Sequence, residues 1–264
     1  MIFRDFFPRV FSRLYSLSRP EVFKPSEQDV FLASYPRSGN TWMRVILAEL
    51  LYGESGRSIK DLEYYIPDIH LNHPRRDVID SEFNIVKSHR PFIYRENMAI
   101  YKTIYLIRDP RDVVLSHYRY LKALRYPNDF NQFLLDWITG RIWPTSWYGH
   151  VRSWFGPGIE NIKIDICVVR YEDLLSEPVV QINKIADFIG VEWTIEMINH
   201  ALDKASVDNM RTREKSGLRE YENTEGMKFI GEAVSGQWKN RLSSEQVNLI
   251  EEYANREMEE FGYL

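Results

Sequence analysis

The stretch SYPRSGNTW, at residues 34–42, carries hydroxyl groups, a base and a glycine in an order that suits an anion-binding turn. It follows the apolar run DVFLAS and leads into MRVILAELL, which predicts a strand, a tight turn and a helix. Such a turn presents unpaired backbone N–H groups and the positive end of the helix dipole. Ser38 and Thr41 would add hydroxyl donors, and Arg37 would add a positive charge. The Walker pattern G-x-x-x-x-G-K-S/T is absent, so an ordinary strand–helix turn is the alternative interpretation.

A lysine and a histidine stand at the end of a second predicted strand, FNIVKSH at residues 83–89. Lys87 and His89 are two positions apart, so they share one face if the strand continues. Ligands of open α/β sheets bind beyond the carboxyl ends of the strands. Histidine is the side chain best suited to take a proton near neutral pH, which makes His89 a candidate base. By itself, a histidine at a strand end is more often unrelated to catalysis.

A third polar cluster, IRDPRDVVLSHY at residues 107–118, has the residue types that hold a phosphate. Arg108 ends a third predicted strand, and Ser116 lies two turns into the following helix. The arginine can bind two phosphate oxygens while the serine donates one hydrogen bond. Taken alone, the cluster fits a surface salt-bridge network equally well. A fourth stretch, SGQWKNRL at residues 235–242, is weaker still and fits a turn before a helix.

The elements that must position these groups follow an α/β pattern. Strand and helix signals alternate from residue 29 onward, which predicts parallel βαβ units. The near-continuous apolar strand DVFLASY at 29–35 indicates a sheet covered on both faces. Later strands are predicted at 103–109 and 164–173, whereas the polar residues 204–241 predict a long surface loop.

Three local signals predict where helices begin and end. Asp109 is a predicted N-cap with Pro110 at the first helical position. Ser243 and Gln246 fit a capping box at the start of a long amphipathic helix. Gly53 is expected to end the helix that begins after the 34–42 turn.

Length, net charge and cysteine content give no support to a nucleic-acid-binding, metal-binding or membrane-spanning protein. The chain has 264 residues and a net charge of −4, so nothing global favours a nucleic-acid partner. Its single cysteine, Cys167, lies in an apolar strand and is predicted to be a core residue in a reducing compartment. No Cys/His spacing suggests a metal site, and no segment is apolar over a bilayer-spanning length.

Residues 1–28 form a predicted N-terminal arm. Within it, residues 1–19 alternate apolar and basic positions at helical spacing, and their charges exclude a signal peptide. A helix docked on its own domain is favoured, and peripheral contact with a membrane surface is the alternative.

In combination and order, these motifs resemble the cytosolic-type sulfotransferases, P-loop-like enzymes that use 3′-phosphoadenosine 5′-phosphosulfate (PAPS). The family's YPKSGTTW loop corresponds to YPRSGNTW here, its KTHLP to KSHRP, and its RNPKDVxVSYY to RDPRDVVLSHY. Its GSWxxHxxxW is similar to TSWYGHVRSW, its YEDM to YEDL, and its GDWKN to GQWKN. The match runs from about residue 23 to the C-terminus.

The resemblance implies a three-layer α/β/α domain over residues 29–264, with a central parallel sheet and P-loop-like topology. It implies that the 5′-phosphosulfate is bound by Arg37, Ser38, Gly39, Asn40, Thr41 and Trp42. Arg108 and Ser116 would bind the 3′-phosphate, and Tyr171 would touch the adenine. His89 would be the general base, and Lys87 would support the transferred group. Arg37 would offset charge on the leaving phosphate oxygen, and no metal would be needed.

Two stretches depart from the family pattern near the donor. Counting back from Trp238, the family's Arg-Lys-Gly falls on Gly231, Glu232 and Ala233, which removes two cationic contacts to the 3′-phosphate. The family's TSFxxM becomes ASVDNM at 205–210, without the hydroxyl and the aromatic ring for the adenine. We therefore expect weaker donor binding than in the family. The candidates to replace the missing charge are Lys228, Arg213 and Arg241.

A third departure is Arg37, where the family often has lysine, and the exchange alters reach and geometry. The family's dimer signature of the KxxxTVxxxE type is not visible, so the oligomeric state stays open.

The leading functional hypothesis is a cytoplasmic sulfotransferase acting on a hydroxyl or amine of a small molecule, lipid or glycan. A nucleotide-binding protein that has lost catalysis and a P-loop kinase are the alternatives, and the absent Walker lysine counts against the kinase. Segment 126–154 is predicted to line or cover the acceptor pocket, with parts of 60–76 and 210–230. About half of its large aromatics are expected to be core instead: Trp137, Trp143, Trp147, Tyr148 and Trp154.

Overall fold

A parallel sheet organises the chain in the computed structural model, which describes residues 29–69, 84–92, 102–156, 164–217, 230–231 and 233–264. The predicted arm at 1–28 lies outside the described residues. Within them the sheet has four strands in the order β2-β1-β3-β4, and every neighbouring pair is parallel. The strands are β1 (Asp29–Ser34), β2 (Asn84–Ser88), β3 (Thr103–Ile107) and β4 (Ile166–Arg170).

Helices cover both faces of this sheet, which confirms the predicted three-layer α/β/α fold. They are α1 (Asn40–Tyr52), α2 (Leu62–Tyr65), α3 (Pro110–Ala123), α4 (Phe130–Ile138), α5 (Trp147–Phe155), α6 (Tyr171–Ser176), α7 (Pro178–Ile189), α8 (Ile195–Lys204), α9 (Val207–Ser216) and α10 (Ser244–Glu260), with a 3₁₀ turn at Gln237–Asn240. Every residue of β1 and β3 is buried, because each strand is packed on both faces.

Alternation along the strands divides the core into two apolar clusters. Leu32, Ile104 and Leu106 belong to a cluster with helices α1, α7 and α8. Tyr105 and Ile107 point the other way, into a cluster with helices α3, α4, α5 and α10. Successive side chains of a strand face opposite sides of a sheet, so a single apolar run serves both layers.

The capping signals are confirmed. The Asp109 side chain accepts a hydrogen bond from the backbone N–H of Arg111 at the start of α3. Ser243 and Gln246 form the reciprocal capping box of α10, and Gly53 ends α1 in the left-handed conformation with φ 70°. Capped boundaries of this kind are readable because the cap residue satisfies backbone groups that the helix cannot.

Three predicted segments are wrong in part. The fourth strand, predicted over 164–173, is confined to Ile166–Arg170, and Tyr171 already begins α6. Acidic residues in the first turn of α6 favour a helix start through its dipole. The predicted loop 204–241 contains the helix α9. Its apolar periodicity is weak, because Met210 and Arg213 are the two buried residues of that helix. The third strand likewise ends at Ile107, since Asp109 is committed to capping α3.

Two properties of the described residues bear on the class of protein. None of the described helices is long and apolar enough to cross a membrane. No group of three or more His, Cys, Asp or Glu side chains in the described ranges is arranged to hold a metal ion.

Candidate active site

A cavity of about 440 Å³ opens beyond the carboxyl ends of β1, β2 and β3. Its walls include the turn after β1, Lys87 and His89 from the end of β2, and Arg108 after β3. The three polar clusters of the sequence therefore meet at one edge of the sheet. This is the edge at which parallel α/β sheets bind ligands.

The turn after β1 has the backbone of an anion cradle. Arg37 and Gly39 both adopt positive φ, 71° and 96°, which curls the chain before α1 begins. A Cβ atom on Gly39 would lie 2.7 Å from Cδ2 of Tyr171, so only glycine fits at this point. No side chain caps the N-terminus of α1, which leaves its first backbone N–H groups for a ligand.

Two buried polar atoms of this turn have no hydrogen-bond partner among the described residues. The Ser38 hydroxyl is 1% exposed, and its Oγ atom is unpaired. Asn40 donates from Nδ2 to Ser34 Oγ at 3.1 Å and to the Leu32 carbonyl at 3.3 Å, while its Oδ1 atom is unpaired. Unpaired buried polar groups are costly, so they mark a place where a bound polar ligand would be stabilising.

The arginines of the first and third clusters are in contact. Arg37 donates from Nε to Ser116 Oγ at 3.3 Å. Arg108 donates from Nη1 to the Arg37 carbonyl at 3.3 Å, and its guanidinium lies 4.2 Å from the ring centroid of Tyr171. The structure thus brings Arg37, Arg108, Ser116 and Tyr171 to one wall, although they come from separate segments. Trp42 meets the Tyr171 ring edge-on, at 5.9 Å between centroids.

His89 is held in the tautomer that a base requires. Its Nδ1 atom lies 2.8 Å from the carbonyl oxygen of Ser34. A carbonyl can only accept, so Nδ1 carries the proton and the basic lone pair is on Nε2. The imidazole meets Trp143 edge-on at 6.3 Å between ring centroids, and both residues line the cavity.

Helix α5 holds the segment that follows His89. Trp154 donates from Nε1 to the Arg90 carbonyl at 3.3 Å, and Ser153 Oγ accepts from the backbone N–H of Phe92 at 2.9 Å. Behind them, the fully buried His150 shares a 2.8 Å hydrogen bond with the Tyr105 hydroxyl. Burial lowers the pKa of His150 to about 3, so this imidazole is neutral at ordinary pH. The TSWYGHVRSW motif therefore holds the segment after His89 in place by hydrogen bonds.

Lys87 has a partner that the sequence did not reveal. Its ammonium group forms a buried ion pair with Asp68, in the segment between α2 and β2. The backbone N–H of Asp68 is in turn bound by Glu63, which pairs with Arg44 at 3.0 Å. A buried network of this kind fixes the lysine at the cavity wall.

The large aromatics of segment 126–154 divide between core and cavity. Trp137, Trp147 and Trp154 are at most 5% exposed and pack in the second apolar cluster. Trp143 instead lines the cavity beside His89, and Tyr148 packs against Tyr253 of α10.

The GQWKN stretch forms a turn before a helix, as its sequence predicted, with a 3₁₀ turn at Gln237–Asn240 ahead of α10. Asp112 of α3 accepts hydrogen bonds from the backbone N–H groups of Gly236 (2.6 Å) and Trp238 (3.0 Å). The guanidinium of Arg111 covers the Trp238 ring at 3.9 Å. These contacts fix the chain just beyond residues 230, 231, 233 and 234, which line the cavity.

The expected replacements for the missing cations do not reach the cavity where they are described. Arg213 is buried against Glu49, at 3.2 Å, and the Ser55 carbonyl, at 3.3 Å. Arg241 is absent from the described cavity lining, and Lys228 lies outside the described residues. Arg119 lines the cavity instead. Its position three residues after Ser116 on one helix was the signal that could have found it.

A doubly covered parallel sheet, an anion cradle after its first strand and an oriented imidazole define a P-loop-like group-transfer enzyme. The chain belongs to the sulfotransferase family, because the family model of the sulfotransferase domain matches residues 27–262. The resemblance seen in the sequence is thereby confirmed.

The relatives support the same assignment. Mouse sulfotransferase 1 family member D1 is 28% identical over 265 residues, which cover 92% of this chain and 88% of the relative. The crystal structure of mouse sulfotransferase SULT7A1 complexed with PAP has a TM-score of 0.64 at 21% identity, covering 94% of this chain and 89% of that one. Retinol dehydratase, solved with androsterone and the inactive cofactor PAP, has a TM-score of 0.68 at 22% identity, with coverages of 95% and 85%.

Proposed function

We propose that this sulfotransferase moves the sulfuryl group of PAPS to a hydroxyl or amine of an apolar small molecule, lipid or glycan. The observation that carries the proposal is the meeting of the anion cradle, Arg108 with Ser116, and the Nε2 side of His89 in one cavity. The solved relatives that hold PAP support this choice of donor.

The residues present fit a sulfated nucleotide. Gly39, Asn40 and Thr41 line the cavity at the open N-terminus of α1 and would hold the 5′-phosphosulfate. Ser38 is not in the described cavity lining, but its buried, unpaired Oγ atom lies in the same turn and would join them. Arg108 and Ser116 would hold the 3′-phosphate, since an arginine can bind two phosphate oxygens. Trp42 and the ring of Tyr171 would flank the adenine.

His89 would act on the acceptor and not on the donor. When PAPS is bound, it supplies the activated sulfuryl group. The acceptor O–H or N–H would give its proton to Nε2 of His89 as the new oxygen–sulfur or nitrogen–sulfur bond forms. The Ser34 carbonyl, which holds Nδ1–H, would stabilise the resulting imidazolium. The bond from sulfur to the 5′-phosphate oxygen would break in line, and Arg37 would offset the charge left there.

Lys87, whose ammonium group forms the buried ion pair with Asp68, would stabilise the sulfuryl group during transfer. Trp143 would present an aromatic wall to the acceptor beside His89. Retinol dehydratase, which has a similar fold, is solved in complex with androsterone, so a ligand of that size fits in that protein.

The cytoplasm is the proposed location. Cys167 is buried and forms no disulfide, and burial raises the pKa of its thiol, which agrees with a reducing compartment. The division into an arm at 1–28 and a domain at 29–264 stays a prediction, as does membrane contact through residues 1–19.

The test is transfer of labelled sulfate from PAPS to a panel of phenols, steroid alcohols, amines and glycans. We expect product with at least one apolar hydroxyl or amine, without added ATP. Activity that depends on ATP and Mg²⁺ would contradict the proposal and favour a kinase.

One observation favours a second candidate, a PAPS-binding protein without transferase activity. Gly231 lines the cavity at a position where the family has an arginine, and the family's neighbouring lysine is replaced by Glu232 in the sequence. Binding of PAP with only slow hydrolysis of PAPS across the whole panel would support that alternative.

A further inference from the structure

The cavity wall on α3 carries an arginine, Arg119, that the motifs quoted for the family do not include. Arg119 lies three residues after Ser116, so the two side chains face the same side of the helix. Both line the cavity, together with Arg37 and Arg108. Arg37 donates to Ser116 itself, so this hydroxyl shares its cavity wall with three guanidinium groups.

Arg108 and Arg119 reach the same short stretch of chain, residues 230–231 and 233–234, which closes this side of the cavity. Arg108 donates from Nη2 to the carbonyl of Val234 at 3.0 Å. Nη2 of Arg119 lies 4.0 Å from the position that a Cβ atom on Gly231 would take. A side chain on residue 231 would therefore meet the guanidinium of Arg119. At that distance the two groups would be in ordinary contact, so Arg119 is a direct neighbour of residue 231.

The balance of charge explains why a further cation is needed here. Asp112 lies 4.0 Å from Nη2 of Arg108 and is itself buried, so it offsets part of that charge. Lys87 is paired with Asp68 at the other side of the cavity. Glu214 adds a carboxylate near this stretch, because it accepts from the backbone N–H of Ile230 at 3.2 Å. Gly231 and Ala233 bring no charge of their own.

We propose that Arg119 binds the 3′-phosphate of PAPS alongside Arg108 and Ser116, and so supplies positive charge in place of the two cationic side chains that the family has at positions 231 and 232. The inference rests on the proposed donor. Arg119 is exposed to solvent and lines the cavity, and its planar fork suits the geometry of a phosphate. The positive charge at the 3′-phosphate would thus come from helix α3 and not from the stretch before Trp238.

The test compares two nucleotides that differ only in the 3′-phosphate. Dissociation constants of 3′-phosphoadenosine 5′-phosphate (PAP) and of adenosine 5′-phosphate are measured by calorimetry for the wild type and three variants. We expect Arg119→Ala to weaken PAP about tenfold, equivalent to about 1.4 kcal/mol, and to change adenosine 5′-phosphate less than about twofold. Arg119→Lys is expected to be intermediate, because it keeps the charge but loses the planar fork.

Arg256→Ala is the matched control, since Arg256 is an exposed arginine of α10 outside the described cavity lining. It should leave both dissociation constants unchanged. Unchanged PAP binding in Arg119→Ala would overturn the inference, and so would an equal loss for both nucleotides. A wild type that binds PAP no better than adenosine 5′-phosphate would overturn the proposed donor itself, which separates the two failures.

Discussion

Gly39→Ala tests whether the turn after β1 forms the donor site, because a side chain at Gly39 would be crowded by Tyr171. The added Cβ atom would lie 2.7 Å from Tyr171 Cδ2, whereas ordinary contacts begin near 3.4 Å. Either the turn or the ring must therefore move by about 0.7 Å. The Tyr171 ring supports Arg108 at 4.2 Å and Trp42 at 5.9 Å, so the displacement reaches the predicted phosphate and adenine contacts together.

Gly190 provides a matched control for the backbone part of the effect. It also has positive φ, 86° against 96° for Gly39, but no atom lies within 4 Å of the position that its Cβ atom would take. Left-handed backbone costs about 1–2 kcal/mol for a residue with a Cβ atom. Overpacking adds about 1–3 kcal/mol, so Gly39→Ala should lose about 2–5 kcal/mol where Gly190→Ala loses about 1–2.

The assay is urea unfolding of both variants, with PAP affinity measured on the folded proteins. We expect Gly39→Ala to be the less stable variant and to bind PAP at least about tenfold more weakly, because the turn N–H groups are displaced. Gly190→Ala should bind PAP as the wild type does. Equal stability of the two variants with wild-type PAP affinity in both would refute the account of this turn.

Three further predictions concern the surroundings of the site. Burial lowers the pKa of His117 and His150 to about 3, with the Arg37 charge adding to the effect at His117, so the unfolded chain binds more protons between pH 6.5 and 3. The free energy of unfolding should therefore fall as the pH drops below about 6.5, by up to about 1.4 kcal/mol per pH unit for each histidine. His117→Asn should make this pH dependence shallower, and an unchanged slope in urea unfolding would contradict the prediction. Trp154→Phe removes the hydrogen bond to Arg90 and should lower kcat severalfold with unchanged PAP affinity, whereas an equal loss of both would indicate general unfolding. Lys87→Met removes the positive charge from the buried ion pair with Asp68 and should cost about 3–5 kcal/mol, so urea stability equal to the wild type would argue against the ion pair.

The fold could be predicted from the sequence because its signals are local. Apolar strands buried on both faces, and caps such as Asp109 and Ser243, act within a few neighbouring residues. Helix α9 was missed because Met210 and Arg213 are the only positions on it that the core covers. The YEDL segment was read as strand because it continues an apolar run, although its acidic residues favour a helix start.

The site could be predicted only as far as the motifs reach. Arg37, His89, Arg108 and Ser116 sit in recognisable stretches, and the structure brings them together. The pairing of Lys87 with Asp68 joins a strand to a preceding irregular segment, and no periodicity records such a contact. Trp143 and Trp137 are the same residue type a few positions apart, yet one lines the cavity and the other is core. That choice depends on packing between α4 and its neighbours.

The central claim is that Nε2 of His89 takes the acceptor proton beside a donor held by the 34–42 turn. The most direct measurement is the single-turnover rate of His89→Ala with bound PAPS, with His200→Ala, an exposed histidine of α8, as control. The account predicts a loss of about 10²–10⁴-fold for an aliphatic alcohol, PAP affinity within about twofold of wild type, and a much smaller loss for an acceptor that is already ionised, such as a nitrophenol. A folded, PAP-binding His89→Ala that turns over the alcohol at the wild-type rate would contradict it.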